Sequence, residues 1–153
     1  MIEGLTQEIN MQRLSLIIWL MVSFSSYADL QVSQATVRLL PPGLPNTSAY
    51  FVIENRGQVT RNVIGAFTPI AEFAELHEHV IHEDMMSMEK LQKVSIEPGQ
   101  KVVFSPGNRH MMIFALKQPL HNGQSVKLGL QMEDGEQITF MAAIGEPNQH
   151  SHN

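Results

Sequence analysis

Ser125-Val-Lys-Leu-Gly-Leu-Gln-Met132, then Glu133-Asp-Gly-Glu136, then Gln137-Ile-Thr-Phe-Met-Ala-Ala-Ile144 is the stretch whose reading decides the fold. Val126, Leu128, Leu130 and Met132 recur with a period of two, the spacing of a strand with one buried face. Asp134-Gly135 supplies turn chemistry between the two runs, which therefore read as an antiparallel hairpin. Towards the N-terminus the same punctuation repeats. Leu30 to Leu40 stops at Pro41-Pro42-Gly43, and Ala49 to Ile53 is closed by Asn55-Arg56-Gly57. Arg61 to Phe67 and Glu72 to Val80 are further strand candidates, and Leu91 to Ile96 runs into Glu97-Pro98-Gly99. Lys101 to Phe104 is closed by Pro106-Gly107-Asn108, His110 to Leu116 follows, and Asn122-Gly123 leads into the hairpin. No long amphipathic helical stretch, internal repeat or linker interrupts the series, so the expectation is an all-β, single-domain sandwich or small barrel.

The chain of 153 residues is 43% hydrophobic and 16% charged, which suits one compact domain. Its N-terminus reads as a secretory signal. Met11-Gln-Arg13 gives a positive start, Leu14 to Phe24 an apolar centre, and Ser26-Tyr27-Ala28 a small-x-small end. That apolar run is too short to span a bilayer, for which about 20 residues are needed, so no stable membrane insertion is expected once it is removed. Residues 1–10 are polar and slightly acidic ahead of it, which makes Met11 a candidate true start. Cleavage after Ala28 would leave residues 29–145 as the folded domain and 146–153 as a flexible tail. Losing Glu3, Glu8 and Arg13 leaves nine basic and thirteen acidic residues, with no basic stripe for nucleic acid. There is no cysteine, so an exported domain has no disulfide and is held by its core. Thiolate catalysis and a blue-copper site, both of which need a Cys sulfur, are excluded as well.

Soft metal donors are unevenly placed. His77, His79 and His82 precede Met85, Met86 and Met88, while His110 stands beside Met111 and Met112. Strand alternation puts His110 and Met112 on one face and Met111 on the other, and likewise pairs Met86 with Met88 and His77 with His79. Thioether sulfur is a soft, uncharged ligand that suits Cu(I) and offers little to Zn²⁺, Mg²⁺ or Ca²⁺. Imidazole adds a stronger neutral donor. Outside the cytoplasm methionine also avoids the loss of a ligand to disulfide formation, although it can become a sulfoxide. The plainer reading of any one methionine is a core gap-filler, and Met111, Met132 and Met141 are assigned that way. His121 reads as a hydrogen-bonded surface or core residue rather than a ligand.

From Glu75-Leu76-His77 onward the chain resembles the periplasmic copper chaperone family of the PCu(A)C type, which serves assembly of the CuA centre of cytochrome oxidase. That family carries a His, ten residues, a Met, twenty-one residues and a closing His-x-Met; His77, Met88, His110 and Met112 match without a gap. Ala49-Tyr-Phe-Val-Ile-Glu-Asn55, Ile96-Glu-Pro-Gly99, Phe104-Ser-Pro-Gly107 and Leu116-Lys-Gln-Pro-Leu120 extend the likeness over the mature domain. The resemblance implies a cupredoxin-like Greek-key β-barrel that is not an enzyme. It implies one Cu(I) held by His77, Met88, His110 and Met112 at an exposed end, then passed to the oxidase CuA subunit or another assembly factor. A periplasmic monomer is expected. The chain departs from the family at His82 and Met85, which stand where the resemblance implies a Gly-containing acidic turn. His79, His82, Met85 and Met86 are accessory candidates. His150 and His152 could join a nearby His in a second site for Cu(II), against the plainer reading of a solvated tail.

Three other functions use the same residues differently. A copper-scavenging or resistance protein would hold the ion without delivering it. A metal enzyme would need an open coordination position and a neighbouring acid or base, and no convincing carboxylate pair or partnered nucleophile is present. A secreted β-sandwich binding module would use the methionines as core and have only incidental metal affinity.

Overall fold

A computed structural model of the chain describes residues 29–82 and 85–146. The expected signal at 1–28 and the tail histidines His150 and His152 lie outside the described residues. The chain forms ten strands: β1 (Leu30–Arg38), β2 (Thr47–Asn55), β3 (Arg61–Phe67), β4 (Ala71–His82) and β5 (Met85–Lys90), then β6 (Val94–Ile96), β7 (Lys101–Phe104), β8 (His110–Leu116), β9 (Ser125–Met132) and β10 (Gln137–Gly145). No helix occurs among the described residues.

Seven strands run in the order β4-β8-β2-β1-β10-β9-β3, and the pairing of Ala66 with Ala74 returns β3 to β4 and closes a barrel. β5, β6 and β7 add to β4, β3 and β2. Every pairing is antiparallel except β1 with β10. Neighbours distant in sequence, such as β2 with β8 and β3 with β9, supply the Greek-key crossovers. Closure leaves few exposed edges, and the alternating strands point one set of side chains inwards.

The interior is filled by Val37, Phe51, Ile53, Leu76, Ile96, Ile113, Leu128, Leu130 and Ile144, each at most 2% exposed. Phe51 stacks on Phe104 at 4.4 Å. Burying a side chain of this size contributes about 1.5–3 kcal/mol, and in a chain without cysteine this packing carries the fold. Buried Asn55 is fully satisfied: its amide donates to the carbonyls of Val59 and Ile96, and its oxygen accepts from the Gly57 N–H.

The expected hairpin is present in register, from Gln137 opposite Gln131 to Ala143 opposite Ser125. Its turn places Gly135 at φ 91°, a conformation that side chains disfavour. The core assignment holds for Met111 and Met132 and fails for Met141, which is 57% exposed. In β10 the inward set is Ile138, Phe140, Ala142 and Ile144, so the two-residue period turns position 141 to solvent. Two element readings also change. Only Val94–Ile96 of the Leu91 to Ile96 run is a strand, and Met85–Lys90, read as a cluster of soft donors, forms β5. His82 and Met85 are the last paired positions of the β4–β5 hairpin rather than part of a loop.

Candidate metal centre

The register of three adjacent strands assembles the site. Opposite residues in an antiparallel pair share a face, and so do residues two apart in one strand. β4 sets His77 opposite His110 and Glu75 opposite Met112 of β8; on its other edge it sets His79 opposite Met88 and Ile81 opposite Met86 of β5. His77, Met88, His110 and Met112 therefore lie on one face, as do His79 and Met86. It is the outer face of the barrel, because the intervening Leu76 and Met111 point into the core. Met85 is one residue out of phase with Met86 and stands on the other face, 73% exposed and away from the cluster. His82 is its register partner.

His77 and His110 each have one nitrogen committed to a hydrogen bond. The chain turns through Ser105–Arg109, with Gly107 at φ 76°, and enters β8 at His110. This aims the Asn108 carbonyl back at His110, whose Nδ1–H donates to it at 2.9 Å. The Nε2 lone pair of His110 is left for a ligand. His77 is fixed in the opposite sense: Nε2 lies 2.9 Å from Oε2 of Glu75. Glu75 is held below the usual carboxylate range, first by the hydrogen bond from Lys90 at 2.6 Å and then by His77. An ionised carboxylate can only accept, so His77 donates through Nε2 and keeps its lone pair on Nδ1. That Nδ1 is buried and has no hydrogen-bond partner. Buried polar atoms are paired in nearly all native structures, so this nitrogen is left available to a ligand.

Burial separates the four residues. His110 is 4% exposed, and burial pushes its pKa below the ordinary value of 6.5, with His79 and His77 adding to the effect against the Asn108 bond. It therefore stays neutral, the form that binds metal. The His77 and His110 rings stand 6.1 Å apart, and those of His79 and His110 5.1 Å. The Ser48 hydroxyl donates to the Met112 sulfur at 3.3 Å, which orients the thioether. Met88 is 52% exposed and borders solvent. Among the described residues no three His, Cys, Asp or Glu groups converge as a metal site. Neutral imidazoles and thioethers suit Cu(I).

Glu75, Ser48 and the Asn108 carbonyl are parts of the site that the sequence reading did not single out. Glu75 carried a usable signal, because it stands two residues before His77 and so shares its face. Ser48 carried none, since its approach to Met112 depends on the pairing of β2 with β8.

Residues 30–144 match the family described as "Putative lipoprotein LpqE-like". A curated relative named "Putative lipoprotein Lxx21020", from Leifsonia xyli subsp. xyli, is 33% identical over 107 residues. The match takes in 69% of this chain and spans 63% of the length of that relative. Among solved structures, the apo PCuAC domain from PmoF1 superposes with a TM-score of 0.65 at 22% identity, covering 78% of this chain and 96% of that domain. DR1885 from Deinococcus radiodurans is similar in two forms. The apo form gives a TM-score of 0.62 at 25% identity over 82% of this chain and 84% of its own. The Cu(I) form gives 0.60 at 24% over 86% and 87%. The barrel is thus that of the PCuAC domains, the cupredoxin-like architecture expected from the sequence.

Proposed function

This chain belongs to the LpqE-like family, of the PCuAC type, and on that premise we propose that it is an exported copper chaperone. It holds one Cu(I) with His77, Met88, His110 and Met112, and hands it to an acceptor. The observation that carries this reading is the pair of imidazole lone pairs, Nδ1 of His77 and Nε2 of His110, each freed by a hydrogen bond on the other nitrogen and set on one face with the two methionines. Two solved relatives are named in copper-bound form, DR1885 with Cu(I) and the PCuAC domain of PmoF2 with copper.

The chain's own groups make the site suited to transfer. Four neutral donors leave only the charge of the ion itself, and Glu75, already paired with Lys90, adds little net charge beside it. The buried His110 and the oriented Met112 form the fixed side of the site. Met88, on the exposed edge strand β5, forms the side from which a thioether can be exchanged for a ligand of the acceptor. No thiolate is present to hold the ion against release.

Export rests on the signal-like sequence at residues 1–28 and on the lipoprotein descriptions of the family and of the Leifsonia relative. The working location is the periplasm, with residues 29–145 as a monomeric copper-binding domain. The CuA subunit of cytochrome oxidase is the proposed acceptor, and the His150 and His152 tail a proposed second site, for Cu(II). Competitive Cu(I) titration should give one tight equivalent, lost in the double variant Met88→Ala, Met112→Ala. Unchanged affinity in that variant would overturn the ligand set. Incubation of the loaded protein with the CuA subunit separates delivery from scavenging, since a scavenger would keep its copper.

A further inference from the structure

The outer face carries two more soft donors that the four-residue site does not use. His79 Nδ1 lies 3.3 Å from the Met86 sulfur, and its ring is 5.1 Å from that of His110. His79 also stands directly opposite Met88 in the sheet. Exposure rises along this row, from 4% at His110 to 52% at Met88 and 68% at Met86. The row runs outward along the β4–β5 ribbon. β8 begins at His110, opposite His77, so beyond that point β4 pairs with β5 alone.

We propose that His79 and Met86 form a second, transient station for Cu(I), through which the ion enters and leaves the site of His77, Met88, His110 and Met112. The proposal rests on the reading of that site given above. With no ion bound, His79 Nδ1–H can donate to the sulfur; the other neutral tautomer turns the same two atoms into a nitrogen and sulfur donor pair. The proton moves only between the two ring nitrogens, by way of water. Each exchange replaces one neutral ligand by another, so neither the charge of the complex nor the oxidation state of copper changes. Because His79 adjoins both His110 and Met88, the ion can gain an outer donor before it loses an inner one. An acceptor approaching β5 would meet copper there instead of having to reach buried His110.

A station on the path changes entry and exit rates by the same factor and leaves the equilibrium constant unaltered. The test uses the full chain loaded with one equivalent of Cu(I), mixed with the chelator bathocuproine in a stopped-flow instrument. Met86→Leu, which keeps the side-chain volume and removes the sulfur, and His79→Ala with Met86→Leu are compared with the parent. The expected result is slower release, on the order of tenfold in the double variant, a barrier raised by about 1.4 kcal/mol, with Kd essentially unchanged. Silver(I), a redox-inert probe, should at the second equivalent shift the His79 ring and Met86 methyl resonances of the parent after those of His110 have saturated. Unchanged release rates in both variants would overturn the station. A loss of affinity as large as that of Met112→Ala would overturn it too, by making these residues ligands of the main site. Failure of the main site would show separately, as full affinity in Met88→Ala, Met112→Ala.

Discussion

Glu75 tests whether the tautomer of His77 is set by its neighbour. The carboxylate accepts from His77 Nε2 at 2.9 Å while Lys90 holds its other oxygen at 2.6 Å. Glu75→Gln keeps the size and one acceptor oxygen and removes the charge. Hydrogen bonds to charged groups contribute about 1.5–3 kcal/mol against about 0.5–1.5 for neutral ones, so the exchange weakens the hold on His77 by about 1 kcal/mol. At 1.4 kcal/mol per decade that is about a fivefold loss of Cu(I) affinity. Glu75→Ala removes the acceptor, freeing the ring to rotate and to adopt the other tautomer, and loss of such a support lowers metal affinity about 10–100-fold. Competitive Cu(I) titration measures both, with circular dichroism to confirm that the barrel is intact. Binding by Glu75→Ala within about twofold of the parent would refute the reasoning, because the site would then not need Nδ1 of His77 presented by this bond.

Burial also makes the apoprotein sensitive to acid. His110 has a folded pKa below its ordinary 6.5, so as pH falls through that value the unfolded chain takes up a proton that the folded one does not. Stability is therefore lost on acidification below 6.5 and is flat above it as far as His110 is concerned, and thermal melts of apoprotein and of His110→Gln should diverge in that window. Met111→Ala should cost about 2–5 kcal/mol in chemical denaturation, whereas Met141→Ala should stay within about 0.5 kcal/mol. An equal cost at the two positions would contradict the placement of Met141 at the surface. Gly129→Ala would drive a Cβ into the Phe67 ring, and such overpacking should cost about 1–3 kcal/mol by the same assay.

Most of the barrel was legible because its strands announce themselves locally. Alternation over Ser125–Met132 and turn residues at Asp134-Gly135, Glu97-Pro98-Gly99 and Pro106-Gly107-Asn108 mark where strands end without tertiary information. β5 was not legible as a strand. Met-Met-Ser-Met-Glu-Lys has no β-branched residue and buries no face, since all six positions are exposed, and only its pairing with β4 makes it a strand. Met141 was misread because an apolar side chain in an apolar run does not show which phase faces inwards. The parallel pairing of β1 with β10 joins the two ends of the barrel and leaves no local trace. Of the candidate site, His110 and Met112 share a face by alternation alone. Spacing and family resemblance pointed to His77 and Met88, but their common face depends on the register of β4 against both β5 and β8. The roles of Glu75, Ser48 and the Asn108 carbonyl became visible only with that register in place.

X-ray absorption at the copper edge of the protein loaded with one equivalent of Cu(I) bears most directly on the central claim. The account predicts a mixed first shell of imidazole nitrogen and thioether sulfur, with the sulfur contribution lost in the triple variant Met86→Leu, Met88→Ala, Met112→Ala. A first shell of nitrogen and oxygen alone, or sulfur scattering that survives all three substitutions, would contradict it.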